Sequence, residues 1–252
     1  GAVAANTRLD AGNLILDYTS SNTSKLPSNR SLDMRGGILT ITGNASAATS
    51  QTVAGLTLAS GGSNRIAVVA GSGQAAVLTL GAITRAAGAG TLRVVLPSGT
   101  QDATNGVITS STVTNGTMAG YLTISDGTGV YFATKNASNN LIAVASTTKT
   151  DVSTWSTLDN VDNVGGAFTG TFAASGSINT LTFASASSST VTIASGATLN
   201  ILSGGVLMTS AVTSGTHTIT GGRLTSGIAD LVFTQDGAAT LNVASFIGSN
   251  NA

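Results

Sequence analysis

Triplets in which a polar residue sits between two apolar ones recur along this chain, and that rhythm limits the folds open to it. In the last third, Leu181-Thr182-Phe183, Val191-Thr192-Ile193 and Leu199-Asn200-Ile201 follow one another eight to ten residues apart. Val206-Leu207-Met208, His217-Thr218-Ile219, Leu231-Val232-Phe233 and Leu241-Asn242-Val243 continue the series. Side chains alternate across a β-strand, so the outer residues of each triplet share one face and the middle residue takes the other. The middle residue is often Thr or Asn, which suits a wetted face.

Earlier runs of the same kind span residues 13–18, 37–42, 53–58, 65–69, 76–80, 91–96, 120–124, 130–133 and 141–145, separated by Gly, Asn or Ser. Such runs bounded by turn formers read as strands. A disordered chain is usually charged, rich in Pro and poor in aliphatics. Here Pro numbers 2 while Val, Ile, Leu and Thr recur throughout, and those residues fit a pleated, half-buried surface. The chain folds, and its fold is all-β.

Two all-β architectures compete, a β-sandwich and a β-solenoid. The strands are very short, the core positions are interchangeable aliphatics, and aromatics make up only 4% of the chain. These features favour a parallel β-helix with about three short strands per coil. A repeat of roughly 20–25 residues follows. It predicts about ten to twelve coils and, at the usual strand spacing, a rod roughly 50 Å long. Asn-Gly at 105–106 and at 115–116 are signals for two-residue hairpins. No polar or helical cap is visible at either end, which predicts a longer parent chain or end-to-end assembly. One stretch breaks the rhythm: residues 146–166 gather Lys149, Asp151, Asp159, Asp162 and the only Trp, Trp155. The expected organisation is solenoid repeats over 1–145, an irregular excursion over 146–166, and solenoid repeats over 167–252.

Ten basic residues balance ten acidic ones, and the basic residues are scattered. Phosphate-backbone binding needs a clustered footprint, so nucleic acid is not an expected partner. Cys is absent, which excludes disulfides, thiolate metal sites and Cys nucleophiles. The longest apolar runs, such as Ile66 to Ala70, fall far short of the roughly 20 residues of a membrane helix, so this segment is not expected to insert. The start at Gly1 without Met reads as a processed product or a piece of something longer. A near-neutral surface of Ser, Thr and Asn places the expectation outside the cytoplasm, since net charge helps keep crowded chains apart.

The phrasing of the repeats resembles the autotransporter-associated β-strand repeat proteins, passenger-like regions of large bacterial surface proteins. The residues that carry it are Leu32 to Ile41, Gln51 to Leu58, Leu78 to Arg85 and Gly221 to Gly227. The resemblance covers nearly the whole chain and rests on degenerate motifs. It implies a right-handed parallel β-helix, export to the cell surface, and a role in adhesion, matrix or surface coat. A membrane barrel of the kind that completes an autotransporter is not among these segments.

Four kinds of chemistry have candidate residues in this sequence. His217 is the only His, and a hydroxyl will lie near it in so Ser-rich a chain. Nucleophilic catalysis also needs a carboxylate and an oxyanion hole, and no G-x-S-x-G elbow is present. His217 is therefore expected to be a plain strand-edge residue. Asp159 and Asp162, with Asp151 and Trp155 nearby, form the nearest approach to a glycosidase carboxylate pair, and solvated loop acids are the simpler reading. Asp159-Asn160-Val161-Asp162-Asn163 alternates oxygen ligands as a Ca²⁺ site would, which makes Asp159 and Asp162 the metal candidates beside an ordinary Asx-rich turn. The glycines of Gly71-Ser72-Gly73 and Gly88-Ala89-Gly90 precede neither a helix nor a Lys and are turns.

The expected function is a non-catalytic structural component of a bacterial surface, sheath or matrix that assembles with copies of itself. An adhesin or carbohydrate-binding passenger is the alternative, with surface glycans as partners and Tyr121, Tyr131 and Trp155 as the aromatic material. A polysaccharide-active enzyme is the remote third.

Overall fold

The computed structural model describes residues 6–59 and 61–249. The chain is a β-solenoid of about nine turns, divided into two units. The first holds the described residues up to Val113 together with Tyr121–Thr128 and Ala133–Ala143. The second holds Thr114–Gly120, Gly129–Phe132 and the described residues from Val144 onward. Strands are numbered in chain order. Among the described residues the only helical element is one 3-10 turn, Val152–Thr154.

In the first unit the chain visits three sheets in rotation. One contains β1 (Thr7–Leu9), β3 (Leu32–Met34), β6 (Gly55–Leu58) and β9 (Ala82–Arg85). The next contains β2 (Asn13–Asp17), β4 (Gly37–Thr42), β7 (Ser63–Val69), β10 (Thr91–Val95) and β12 (Leu122–Ser125). The third contains β5 (Thr49–Thr52), β8 (Ala76–Thr79) and β11 (Gly106–Ile108). The pairings among these strands are parallel.

Coil length falls within the expected 20–25 residues at some levels and exceeds it at others. Leu32 lies beside Leu56, 24 residues on, Thr49 beside Ala76, 27 on, and Leu92 beside Leu122, 30 on. In the first unit the strands are short, and the extra length of the longer coils lies in the corners. Between β10 and β11 the loop from Leu96 to Asn105 is held by its own hydrogen bonds, with Asn105 Nδ2 donating to the carbonyls of Ser98 (3.0 Å) and Thr100 (3.1 Å). Longer corners mean fewer coils, about nine in place of ten to twelve.

Register converts the triplets into columns. Leu39, Ile66, Val94 and Ile124 follow one another up the second sheet, each at most 1% exposed. Burying one such side chain contributes about 1.5–3 kcal/mol. Asn64 interrupts the neighbouring column between Gly37 and Leu92 and is fully buried. Its Oδ1 accepts from Gly36 N–H at 2.8 Å and its Nδ2 donates to the Thr91 carbonyl at 3.1 Å. A buried amide is stable where both ends are matched in this way.

Of the two Asn-Gly signals, one closes a hairpin. Thr114 and Thr117 exchange backbone hydrogen bonds of 2.9 and 3.0 Å, and Asn115 and Gly116 both take positive φ, 53° and 80°, as a two-residue hairpin turn of this twist requires. At 105–106 the chain runs straight into β11, which pairs parallel with β8. The turn from Asn136 to Asn140 closes a further antiparallel pair, with Ala133 to Lys135 of β13 (Val130–Lys135) beside β14 (Leu141–Ala143).

The second unit starts with β15 (Thr147–Thr148) and β16 (Asn160–Asp162), then β17 (Thr171–Phe172), β18 (Gly176–Phe183), β19 (Ser189–Met208) and β20 (Thr216–Ser226). It closes with β21 (Val232–Gln235), β22 (Thr240–Val243) and β23 (Phe246–Ile247). The pairings given for these strands are parallel. β19 carries the ladder round the corners: its start pairs with β17, its end with β18 and β21, and the register shifts between Ile193 and Thr198. The interior is a continuous apolar cluster that includes Val161, Leu181, Phe183, Val191, Ile193, Leu199, Ile201, Val206 and Met208.

Candidate functional site

Residues 146–166 lie in the second unit and contribute β15, the 3-10 turn and β16. Trp155 at its centre is buried, 7% exposed. Its ring meets Phe168 edge-on with centroids 5.3 Å apart and lies 6.5 Å from Phe172, while Nε1 donates to the Lys149 carbonyl at 3.0 Å. Phe168 in turn meets Phe183 edge-on at 5.3 Å. The expectation of Trp155 as exposed material for a ligand is corrected: the indole is a core anchor. Three of the six Phe residues fall within 168–183, and that local enrichment was the available signal for an aromatic core at this level.

The two acidic candidates sit at opposite ends of β16. Asp159 precedes it, and its Oδ2 accepts from Lys149 Nζ at 2.5 Å, Ser156 N–H at 2.7 Å and the Ser156 hydroxyl at 2.9 Å. Burial alone pushes this carboxyl up. The hydrogen bonds from Lys149 and Ser156, with the Lys149 charge, outweigh it and hold the pKa below the ordinary value. Asp162 ends β16 and is 5% exposed. Its Oδ1 accepts from the Thr148 hydroxyl at 2.7 Å and Val164 N–H at 3.1 Å, and its Oδ2 from the Ser146 hydroxyl. Asp151 caps the 3-10 turn, with Oδ1 accepting from Ser153 N–H (2.9 Å) and Ser153 hydroxyl (2.7 Å). These bonds, the hydroxyl's first, hold its exposed carboxyl below the usual range. Among the described residues no three His, Asp or Glu side chains gather as a ligand set.

His217 is the second residue of β20 and is fully buried, where a strand-edge position was expected. Its register partner is Ser189, and Ser189 Oγ lies 3.0 Å from Nδ1. Nε2 lies 3.4 Å from the Ser214 carbonyl, and the Phe183 ring meets the imidazole edge-on at 5.5 Å. Asn163 Nδ2 donates to Ser189 Oγ at 3.1 Å. The third polar group therefore holds the serine, and a carbonyl stands where a nucleophilic triad has its carboxylate. With Ser189 3% exposed, substrate has no approach. Asn163, Ser189 and His217 form a buried polar stack that substitutes for an aliphatic column.

The two tyrosines have different settings. Tyr121, in the first unit, is half-buried with the Arg85 guanidinium 4.8 Å from its ring centroid. Burial raises its phenol pKa, against the pull of Arg85. Tyr131, in the second unit, lines a pocket of about 110 Å³. The segment Gly129–Phe132 crosses the outer face of the β18–β19 sheet there, where Phe132 and Val130 pack on Leu207 and Val144. Gly205 permits this approach: a Cβ on it would stand 2.5 Å from Phe132 Cε1 and 2.7 Å from Gly120 Cα. The pocket is walled by Phe132, Val144 and Leu207 and edged by Asp162, Thr182 and Thr209. Tyr131 and Asp162, singled out from sequence for separate reasons, thus share one site. The place of Thr209 in this lining had no sequence signal, since Thr is among the commonest residues here.

No family model and no solved structure matches the chain. It is 30% identical over 254 aligned residues to the adhesin BmaC autotransporter of Brucella suis biovar 1 (strain 1330). The alignment takes in 97% of this chain and 7% of that protein. The chain is thus related in sequence to a small segment of a much longer autotransporter adhesin.

Proposed function

We propose that this chain is a non-catalytic segment of the surface-exposed passenger of a bacterial autotransporter adhesin. Its stacked coils act as a scaffold that holds contact surfaces outside the cell. The observation that carries this reading is the alignment of nearly the whole chain with part of an adhesin autotransporter. The geometry is consistent with it. The hydroxyl and imidazole groups that suggest a nucleophile are consumed in a buried stack, and the acids of 146–166 are bonded to their neighbours.

The test is display of the 252-residue chain on a non-adherent Gram-negative bacterium through an unrelated membrane anchor. Retention on an epithelial monolayer well above that of the anchor alone is expected. Retention equal to the anchor alone rejects the adhesin reading.

A further inference from the structure

We propose that the Asn115-Gly116 turn of the second unit is a site of spontaneous covalent modification, where Asn115 loses ammonia and the hairpin it closes is released. Of the two Asn-Gly pairs in the chain, the structure exposes this one and locks the other.

The chemistry belongs to the pair itself. The main-chain nitrogen of Gly116 attacks the side-chain carbonyl carbon of Asn115, and glycine has no Cβ to obstruct the approach. A C–N bond forms, the bond to the side-chain nitrogen breaks, and that nitrogen leaves as ammonia with the proton from Gly116. Water then opens the resulting five-membered ring. Attack at the former side-chain carbonyl gives aspartate. Attack at the main-chain carbonyl gives isoaspartate, whose backbone runs through the former side chain. The balance is one water in and one ammonia out, with no change of oxidation state.

The structure decides which pair can react. Asn115 and Gly116 are both exposed, and among the described residues no hydrogen bond holds the Asn115 side-chain amide or the Gly116 N–H. A local opening of such a turn brings the two together. Asn105 is only 9% exposed, and its side chain is tied three times: Nδ2 donates to the carbonyls of Ser98 and Thr100, and Oδ1 accepts from Ala76 N–H at 3.1 Å. Gly106 is buried at the start of β11, packed so closely that a Cβ on it would stand 2.2 Å from Asn140 Oδ1 and 2.8 Å from Gln101 Oε1. At about fivefold per hydrogen bond, three ties hold the reaction at Asn105 back roughly a hundredfold.

The consequence is mechanical. The Asn115 carbonyl accepts from Asn179 Nδ2 at 2.8 Å, and Gly120 N–H donates to the Ser203 carbonyl at 2.7 Å. With the Thr114–Thr117 exchange, these bonds hold the segment Thr114–Gly120 in place. Isoaspartate adds a carbon to the main chain of a turn whose register depends on its two residues. The Thr114–Thr117 exchange and the Asn179 bond are then lost together.

The experiment ages the purified full chain at body temperature and mildly alkaline pH. Peptide mass spectrometry follows both sites, and isoaspartyl methyltransferase labelling identifies the isoaspartate. In the folded chain Asn115 should convert roughly a hundredfold faster than Asn105, while in concentrated urea the two should convert at similar rates. Asn115→Gly keeps a residue that accepts positive φ and removes the reacting amide, so it should not be labelled at this turn. Aged wild type, but not aged Asn115→Gly, should be cut faster within residues 114–120 by a protease of broad specificity. Folded-state rates that differ no more than the urea rates overturn the assignment of the site. Labelled protein whose 114–120 segment is cut no faster than fresh protein overturns the release.

Discussion

Gly81 and Gly73 take nearly the same left-handed backbone, φ 61° and 68°, and differ in what surrounds them. That makes Gly81→Ala against Gly73→Ala a test of coil stacking at a corner. Placing Ala in this conformation costs about 1–2 kcal/mol at either site. At Gly73 a new Cβ would meet nothing within 4 Å. At Gly81 it would stand 2.1 Å from the Ala54 carbonyl oxygen of the preceding coil, where ordinary contact begins near 3.4 Å. The shortfall is roughly a quarter of the usual spacing between neighbouring strands. Relieving it means prising the coils apart where Val53 N–H donates to the Thr79 carbonyl (2.9 Å) and Gly55 begins the parallel ladder with Ala82. Losing two such bonds adds about 2–3 kcal/mol. The expected totals are roughly 4 kcal/mol for Gly81→Ala and 1–2 for Gly73→Ala, read from urea midpoints by far-UV circular dichroism. Equal midpoints, within about 1 kcal/mol, would show that the coils do not meet at this corner and refute the stacking argument.

Three further outcomes follow from the core of the first unit and the loop of the second. Ile66→Ala, in the column between Leu39 and Val94, should cost about 3–4 kcal/mol and Ile66→Val about 1, measured by urea unfolding; equal costs would mean the column is not close-packed. Trp155→Ala should lower the melting temperature sharply, by about 3–5 kcal/mol of stability, and an unchanged melt would contradict its place against Phe168 and Phe172. The Asp159 carboxyl has a folded pKa below its unfolded value near 3.9. Its contribution is therefore complete above that value and lost as pH falls through the folded one. Wild type should exceed Asp159→Asn by roughly 1–2 kcal/mol at neutral pH, and the gap should close below about pH 4; a pH-independent gap would refute the ion-pair account.

The architecture was legible because a parallel stack repeats one local pattern. Each triplet, such as Leu199-Asn200-Ile201, reports its own inward and outward faces, and like residues then meet in register. The longest coils were not legible, since the triplets are silent about corners such as the loop before β11. The candidate site was legible only in fragments. Tyr131 and Asp162 stood out as an aromatic and an acid in a chain poor in both, but their meeting depends on a segment crossing the outside of a sheet. Trp155 misled because a rare aromatic residue was read as exposed, and it instead fills the interior beside Phe168 and Phe172.

The most direct test of the central claim, a parallel stack whose surfaces carry its function, is a disulfide scan in a chain with no Cys of its own. Thr57 and Thr84 are register partners on β6 and β9, with hydroxyl oxygens 3.2 Å apart, a separation that adjacent cysteines can bridge. Thr57→Cys with Thr84→Cys should oxidise to completion without loss of fold, while Thr57→Cys with Thr40→Cys, on different sheets, should remain reduced. Free thiols in the first pair, or equal oxidation of both, would contradict the coil register on which the scaffold depends.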